Sequence, residues 1–181
     1  MFAPLHTKSD YSPGYGTASV EDLLSRARSY GYSAIGLTDV ENLYGQVRFH
    51  QAARAYGIKP VTGLELRSGY GPGELGNKQG RLILLARDRV GYESLCRIIT
   101  RRRGQGPSLD DRPMRCLEAD PHGLFFLSDD ASVLTELLRA GVPLADIRFL
   151  LIRPKGHPPP SGIAAVADTD VVMAQDRKSV V

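Results

Sequence analysis

The side chains best able to do chemistry gather near the start of the chain, in LHTKSDYSPGYG from Leu5 to Gly16. His6 followed two residues later by a second histidine would read as a metal-binding pair. The second position is instead Lys8, which offers a metal no lone pair while it is protonated. Other polar residues close apolar runs further on: Asp39 ends SAIGLTD, Glu65 lies near the end of KPVTGLEL, and Asp170 follows GIAAVA. Side chains at the carboxyl ends of strands in a β/α fold converge on one mouth. His6, Asp39, Glu65 and Asp170 therefore outline a single site. Ser9 and Ser12 lie close to His6, but the sequence offers no aspartate-backed nucleophile arrangement. The glycine-rich stretch around Lys78 has no phosphate-loop pattern.

The elements that must position these residues alternate between strand and helix. FAPL reads as an opening strand. Ser19-Val20-Glu21-Asp22 has the form of a capping box, with Leu23, Leu24, Ala27 and Tyr30 at helical spacing behind it and Gly31 as the stop. SAIGLTD is a buried strand, residues 43–56 a helix, KPVTGLEL a third strand and RLILLA, from Arg81, a fourth. SGYGPGELGNKQG between the last two reads as a loop or a long hairpin connection. Asp88 caps a helix expected over about 89–100. GLFFLS is a strand, residues 132–140 a helix closed by Gly141, and IRFLLI and GIAAVA are two more strands around the stiff loop PKGHPPPSG. Seven strands with intervening helices predict an α/β protein, a distorted β/α barrel of TIM-like form.

Bulk properties set wide bounds. The 181 residues suit one domain with a proper core, and 23 basic against 20 acidic side chains, net +3, are too balanced to argue nucleic-acid binding. No run has the length of a signal peptide or a membrane span, so a cytoplasmic protein with no membrane partner is expected. Cys96 and Cys116 read as reduced, buried thiols. His50, His122 and His157 read as solvent-facing. Arg101, Arg102 and Arg103 read as a solvated helix end, where cations suit the dipole.

LHTKSDYS, AIGLTDVENLYGQVRFHQAARAYGIKPVTGLEL, LILLARDRVGYESLCRIIT and VADTDVVMAQDR together resemble the PHP (polymerase and histidinol phosphatase) domain. The likeness is to the N-terminal PHP domain of the bacterial DNA polymerase III alpha subunit, error-prone branch. It implies a single PHP-type domain over 1–181, a distorted (β/α)7 TIM-like barrel. AQDRKSVV resembles the first turns of a helix that the family continues, as in a domain cut from or split off a longer chain.

Metal-competent members resemble one another in a set of histidines and carboxylates that hold metal ions. Matched position by position, the opening His-x-His becomes His6 and Lys8, and an aspartate of the first loop becomes Tyr15. The histidine after Asp39 becomes Val40, while the glutamate is kept as Glu65. A histidine opening the fourth strand becomes Arg81, and the closing Asp-x-His becomes Asp170 and Val172. Asp130, in LSDD, is the candidate for a position where the family often has cysteine or histidine. A metal phosphoesterase needs such ligands to make hydroxide and neutralise phosphate.

Val40 and Val172 have no donor atom, and Lys8 and Arg81 bring positive charge that can neutralise Glu65 and Asp170 in place of metal. The residual site is thus His6, Lys8, Asp39, Glu65, Arg81 and Asp170. No cofactor is expected beyond at most one weakly held zinc or manganese on His6, Glu65 and Asp170. The resemblance implies a structural module bracing a polymerase body and offering a surface to a proofreading or accessory subunit, with DNA reached only indirectly. The alternative is a residual metal-dependent phosphoesterase, a phosphatase or 3′-exonuclease. DNA synthesis itself would need a polymerase palm that these residues do not contain.

Overall fold

Strand β1 (Ala34–Leu37) runs through helix α2 (Gln46–Tyr56) into a parallel partner, β2 (Lys59–Arg67). Strand β4 (Leu124–Ser128), helix α4 (Ala131–Arg139) and β5 (Ile147–Leu151) repeat that unit, again with parallel strands. Between the two units β3 (Arg81–Ala86) pairs antiparallel with both β2 and β4, and β6 (Ala165–Ala167) adds in parallel beside β5. The strands follow one another in chain order across a sheet that curls as a half barrel. This is a computed structural model describing residues 3–67, 81–104, 113–119, 121–151 and 160–167. Asp170, Val172, Lys78, His157 and the closing AQDRKSVV lie outside those residues.

Two features depart from the expected seven-stranded β/α barrel. Among the described residues there are six strands, because residues 3–5 of the FAPL opening are not one of them. Pro4 has no N–H to give a ladder. The segment instead runs beside β1, with Pro4 O accepting from Gly36 N and Thr7 O from Thr38 N, each at 2.8 Å. The second departure is the antiparallel β2–β3–β4 centre, where a pure β/α barrel would be parallel throughout.

Alternation along β2 decides what each face of the sheet does. Leu64 and Leu66 join Leu82, Leu84 and Phe126 in a core that packs against Leu95 and Ile98 of α3 (Arg89–Gly104) and Leu134 of α4. Glu65 and Arg67 point the other way, towards the concave side. A second core joins helix α1 (Val20–Ser29) and α2 to β1 through Leu24, Leu37, Phe49 and Ala53. Ser19 caps α1 as expected, accepting from Asp22 N and donating to Asp22 Oδ2 at 2.6 Å. Gly91 N donates to Asp88 Oδ1 at the start of α3.

Helix α2 begins at Gln46 rather than at residue 43, because Asn42 holds the preceding residues in a turn. Its side-chain amide donates to Tyr11 O and Val40 O, and its oxygen accepts from Tyr44 N. Cys96 and Cys116 are free thiols, and burial pushes the Cys116 thiol up to about 12. No helix of the described residues is long and apolar enough to cross a membrane.

Candidate functional site

Glu65 is the centre of the mouth. Its side chain is fully buried at 0% exposure, yet it carries a carboxylate, so the charge must be met locally. His6 Nε2 lies 2.7 Å from Glu65 Oε2, and Lys8 Nζ lies 3.1 Å from the same oxygen. The other oxygen takes a bond from Arg67 Nε. Burial alone would raise the Glu65 carboxyl. The His6 hydrogen bond and the charges of His6, Lys8 and Arg67 outweigh it and hold the group well below the usual carboxylate range.

Local folding explains why these groups meet. His6 and Lys8 share one side of an extended segment pinned beside β1. The loop that follows closes tightly on itself at Gly16, where a Cβ would stand 2.1 Å from Ser9 O. Glu65 and Arg67 are two apart on β2 and so share a face. Arg67 also lies over the Tyr15 ring, 4.3 Å from its centroid. Tyr15, which the family resemblance sets at an expected aspartate, here seats a cation.

The distances test whether a metal fits. A carboxylate can only accept, so the 2.7 Å contact needs the His6 proton on Nε2, which leaves that nitrogen no lone pair for a metal. Zinc stands about 2.0–2.1 Å from each nitrogen or carboxylate ligand, between the two. Here the two groups bond each other directly, and Lys8 Nζ stands 3.1 Å from both His6 Nε2 and Glu65 Oε2. The described donors in this arrangement do not fit a metal ion. Among the described residues no three His, Cys, Asp or Glu side chains gather as a metal set.

Asp39 sits beside this group with its carboxylate occupied. Ser9 N and Ser9 Oγ donate to it, as does Ser12 Oγ at 2.6 Å. The aspartate-backed serines that the sequence did not reveal are therefore present, but both hydroxyl protons point at the carboxylate. Burial raises the Asp39 carboxyl, opposed by the bonds from Ser12 and Ser9. Ser12 Oγ also accepts from Val40 N, and Glu65 N donates to Asp39 O. Val40, which the resemblance sets at an expected histidine, is 1% exposed and pairs its backbone with Glu65.

Arg81 was expected to serve Glu65 or Asp170, and Asp170 lies outside the described residues. Its Nε donates to Asp129 Oδ1 at 3.0 Å. Asp130, the neighbouring candidate, caps α4 by accepting from Ser132 N. The reading of Arg101–Arg103 as a solvated helix end holds for the exposed Arg101 and is corrected for Arg102 and Arg103. Arg102 donates two bonds, at 2.7 and 2.8 Å, to the Glu41 carboxylate, and Arg103 donates to Glu41 O and Tyr44 Oη. Arg67 N also donates to that carboxylate. Glu41, at φ 54° and largely buried, holds a left-handed backbone that few side chains adopt, and this clamp offsets its strain. His50 is exposed but has its Nε2 2.7 Å from Thr62 Oγ1. His122 is exposed.

Sequence reasoning missed Arg67, Glu41, Arg102 and Asp129. Arg67 carried a readable signal, two residues from Glu65 on a strand. The other three meet their partners only through tertiary contacts.

A half barrel of this order, with a histidine and a carboxylate at its mouth, defines the class. The description PHP domain matches residues 4–155, and the chain belongs to the PHP domain family. Among curated relatives, the error-prone DNA polymerase of Pseudomonas fluorescens is 38% identical over 150 residues, 82% of this chain and 13% of that protein. The DNA polymerase III subunit alpha of Borreliella burgdorferi is 37% identical over 103 residues, 54% of this chain and 9% of that protein. The chain thus spans about an eighth or less of the length of these relatives. A solved two-domain protein from Bacteroides vulgatus, described as containing a predicted PHP-like metal-dependent phosphoesterase, superposes with a TM-score of 0.55 at 14% identity. That match covers 95% of this chain and 52% of that one, and supports the fold.

Proposed function

We propose that this is the PHP domain of a DNA polymerase III alpha-like protein whose metal site has been replaced by side-chain cations. Its role is then structural and associative, in replication or repair. The observation that carries this reading is Lys8 Nζ, 3.1 Å from both His6 Nε2 and Glu65 Oε2, where a metal-competent relative would bind a cation. In the proposal Lys8 and Arg67 neutralise Glu65 permanently, which a divalent ion would otherwise do. The domain braces a polymerase body, offers a surface to an accessory or proofreading subunit in the cytoplasm, and touches DNA only indirectly.

The alternative, a residual phosphoesterase on His6, Glu65 and Asp170, draws on the description of the Bacteroides vulgatus relative. It requires Lys8 to leave its present place. Assay with manganese or zinc on generic phosphoesters and single-stranded DNA separates the two. The proposal expects no turnover above background. Turnover lost in both Glu65→Ala and Asp170→Ala would establish the phosphoesterase instead.

A further inference from the structure

Helix α3 carries five arginines against one glutamate, Glu93. Two of the five are matched by carboxylates, Arg89 by Glu93 and Arg102 by Glu41. Arg97 and Arg101 are not. They lie one turn apart on the exposed side of the helix, and each is steadied by a neutral acceptor. Arg97 donates to Ser94 Oγ at 2.9 Å, and Arg101 to the backbone oxygen of Glu118. Neither has a carboxylate partner among the described residues, and both residues are exposed.

The two guanidinium groups flank a groove of about 380 Å³ between α3 and the short helix Pro113–Ala119. Its lining among the described residues is Cys96, Arg97, Thr100, Arg101 and Ala119, and its wall is mostly apolar. Tyr92, 41% exposed, extends this face by one further turn. An apolar floor beside two unmatched cations at helical spacing has a definite complement. It fits an apolar side chain with two carboxylates one turn apart.

We propose that the groove between α3 and the short helix docks an acidic amphipathic helix of a partner protein. In this arrangement an apolar residue of the partner sits on Cys96 and Ala119, and two carboxylates pair with Arg97 and Arg101. Bidentate pairing suits guanidinium and carboxylate, and an amphipathic helix laid in a groove presents its anchors at i, i+3 and i+4. A nucleic-acid backbone would use the arginines but leave the apolar floor without a partner. The inference rests on reading the domain as an interaction module.

Fluorescence anisotropy on the 181-residue chain tests it. The probe is a labelled peptide with leucines at i and i+4 and glutamates at i+1 and i+5. A scrambled peptide of the same composition and single-stranded oligothymidylate serve as comparisons. The expected result is saturable binding of the patterned peptide, at least about tenfold tighter than either comparison. The double variant Arg97→Glu/Arg101→Glu weakens it by at least about tenfold, and so does Thr100→Trp, which fills the groove. All three positions are exposed, and circular dichroism checks that each variant is folded.

Absence of saturable binding would overturn the proposal. So would equal binding of the scrambled peptide, tighter binding of oligothymidylate, or indifference to either variant. Metal content and phosphoesterase assay of the same preparation report separately on the mouth, so the docking inference and the functional reading can fail independently.

Discussion

Lys8 and Glu65 form a pair with side chains 1% and 0% exposed, and that burial sets the energetics of the mouth. Taking both ions out of water is costly, so such a pair is weak evidence for added stability. Removing Lys8, however, leaves Glu65 with only His6 and Arg67 to meet its charge, at a cost of up to about 3–5 kcal/mol. Lys8→Met should therefore lower the denaturation free energy by an amount of that order, measured by urea titration. Arg81→Met should cost less, because Asp129 is 32% exposed and water can solvate it. An unchanged Lys8→Met midpoint would show that the lysine is incidental. The same carboxylate also fixes a pH dependence. Glu65 is held below its unfolded value of 4.5, so its contribution is fully present above that value and is lost as pH falls beneath it. Urea midpoints measured from about pH 6 down to about pH 3 should fall for the parent chain. In Glu65→Gln that acid-dependent part should shrink, from a lower starting stability; an unaltered acid slope would refute the assignment.

At the scale of elements, the clamp between α3 and the mouth loop is the feature with the clearest consequence. Arg102 and Arg103 fasten the last turn of α3 to Glu41, and so carry the helix past Thr100 to Gly104. Arg102→Met should speed hydrogen exchange in the last turn of α3 and at residues 41–45, leaving α1 unaffected. Uniform exchange across the domain would contradict a local clamp. This feature also shows where sequence reasoning stops. Local signals were readable: the Ser19 capping box, Gly57 beyond α2 at φ 64°, and the leucine alternation of β2. A run of three arginines at a helix end looks alike whether its charges meet water or a carboxylate 61 residues away. The direction of β3 was equally hidden, since an apolar run such as RLILLA fits either pairing. The opening strand failed because one proline outweighed three apolar neighbours.

For the whole molecule, the sequence resemblance and the fold lead to the same family, while the state of its mouth is a matter of individual side chains. His6, Lys8 and Glu65, outlined from strand-end positions and family likeness, come together in space; Arg81 bonds Asp129, and Asp170 lies outside the described residues. The pairing of Arg67 with Tyr15 was not legible, because the sequence alone does not show which distant side chain packs on a ring. In the proposed function, side-chain cations have taken the place of metal in this domain. Elemental analysis of protein purified without chelator and then dialysed against zinc or manganese tests that most directly. The expected result is no stoichiometric metal, with at most one weakly held ion that washes out on further dialysis. Two or more zinc, manganese or iron ions retained per chain would contradict it.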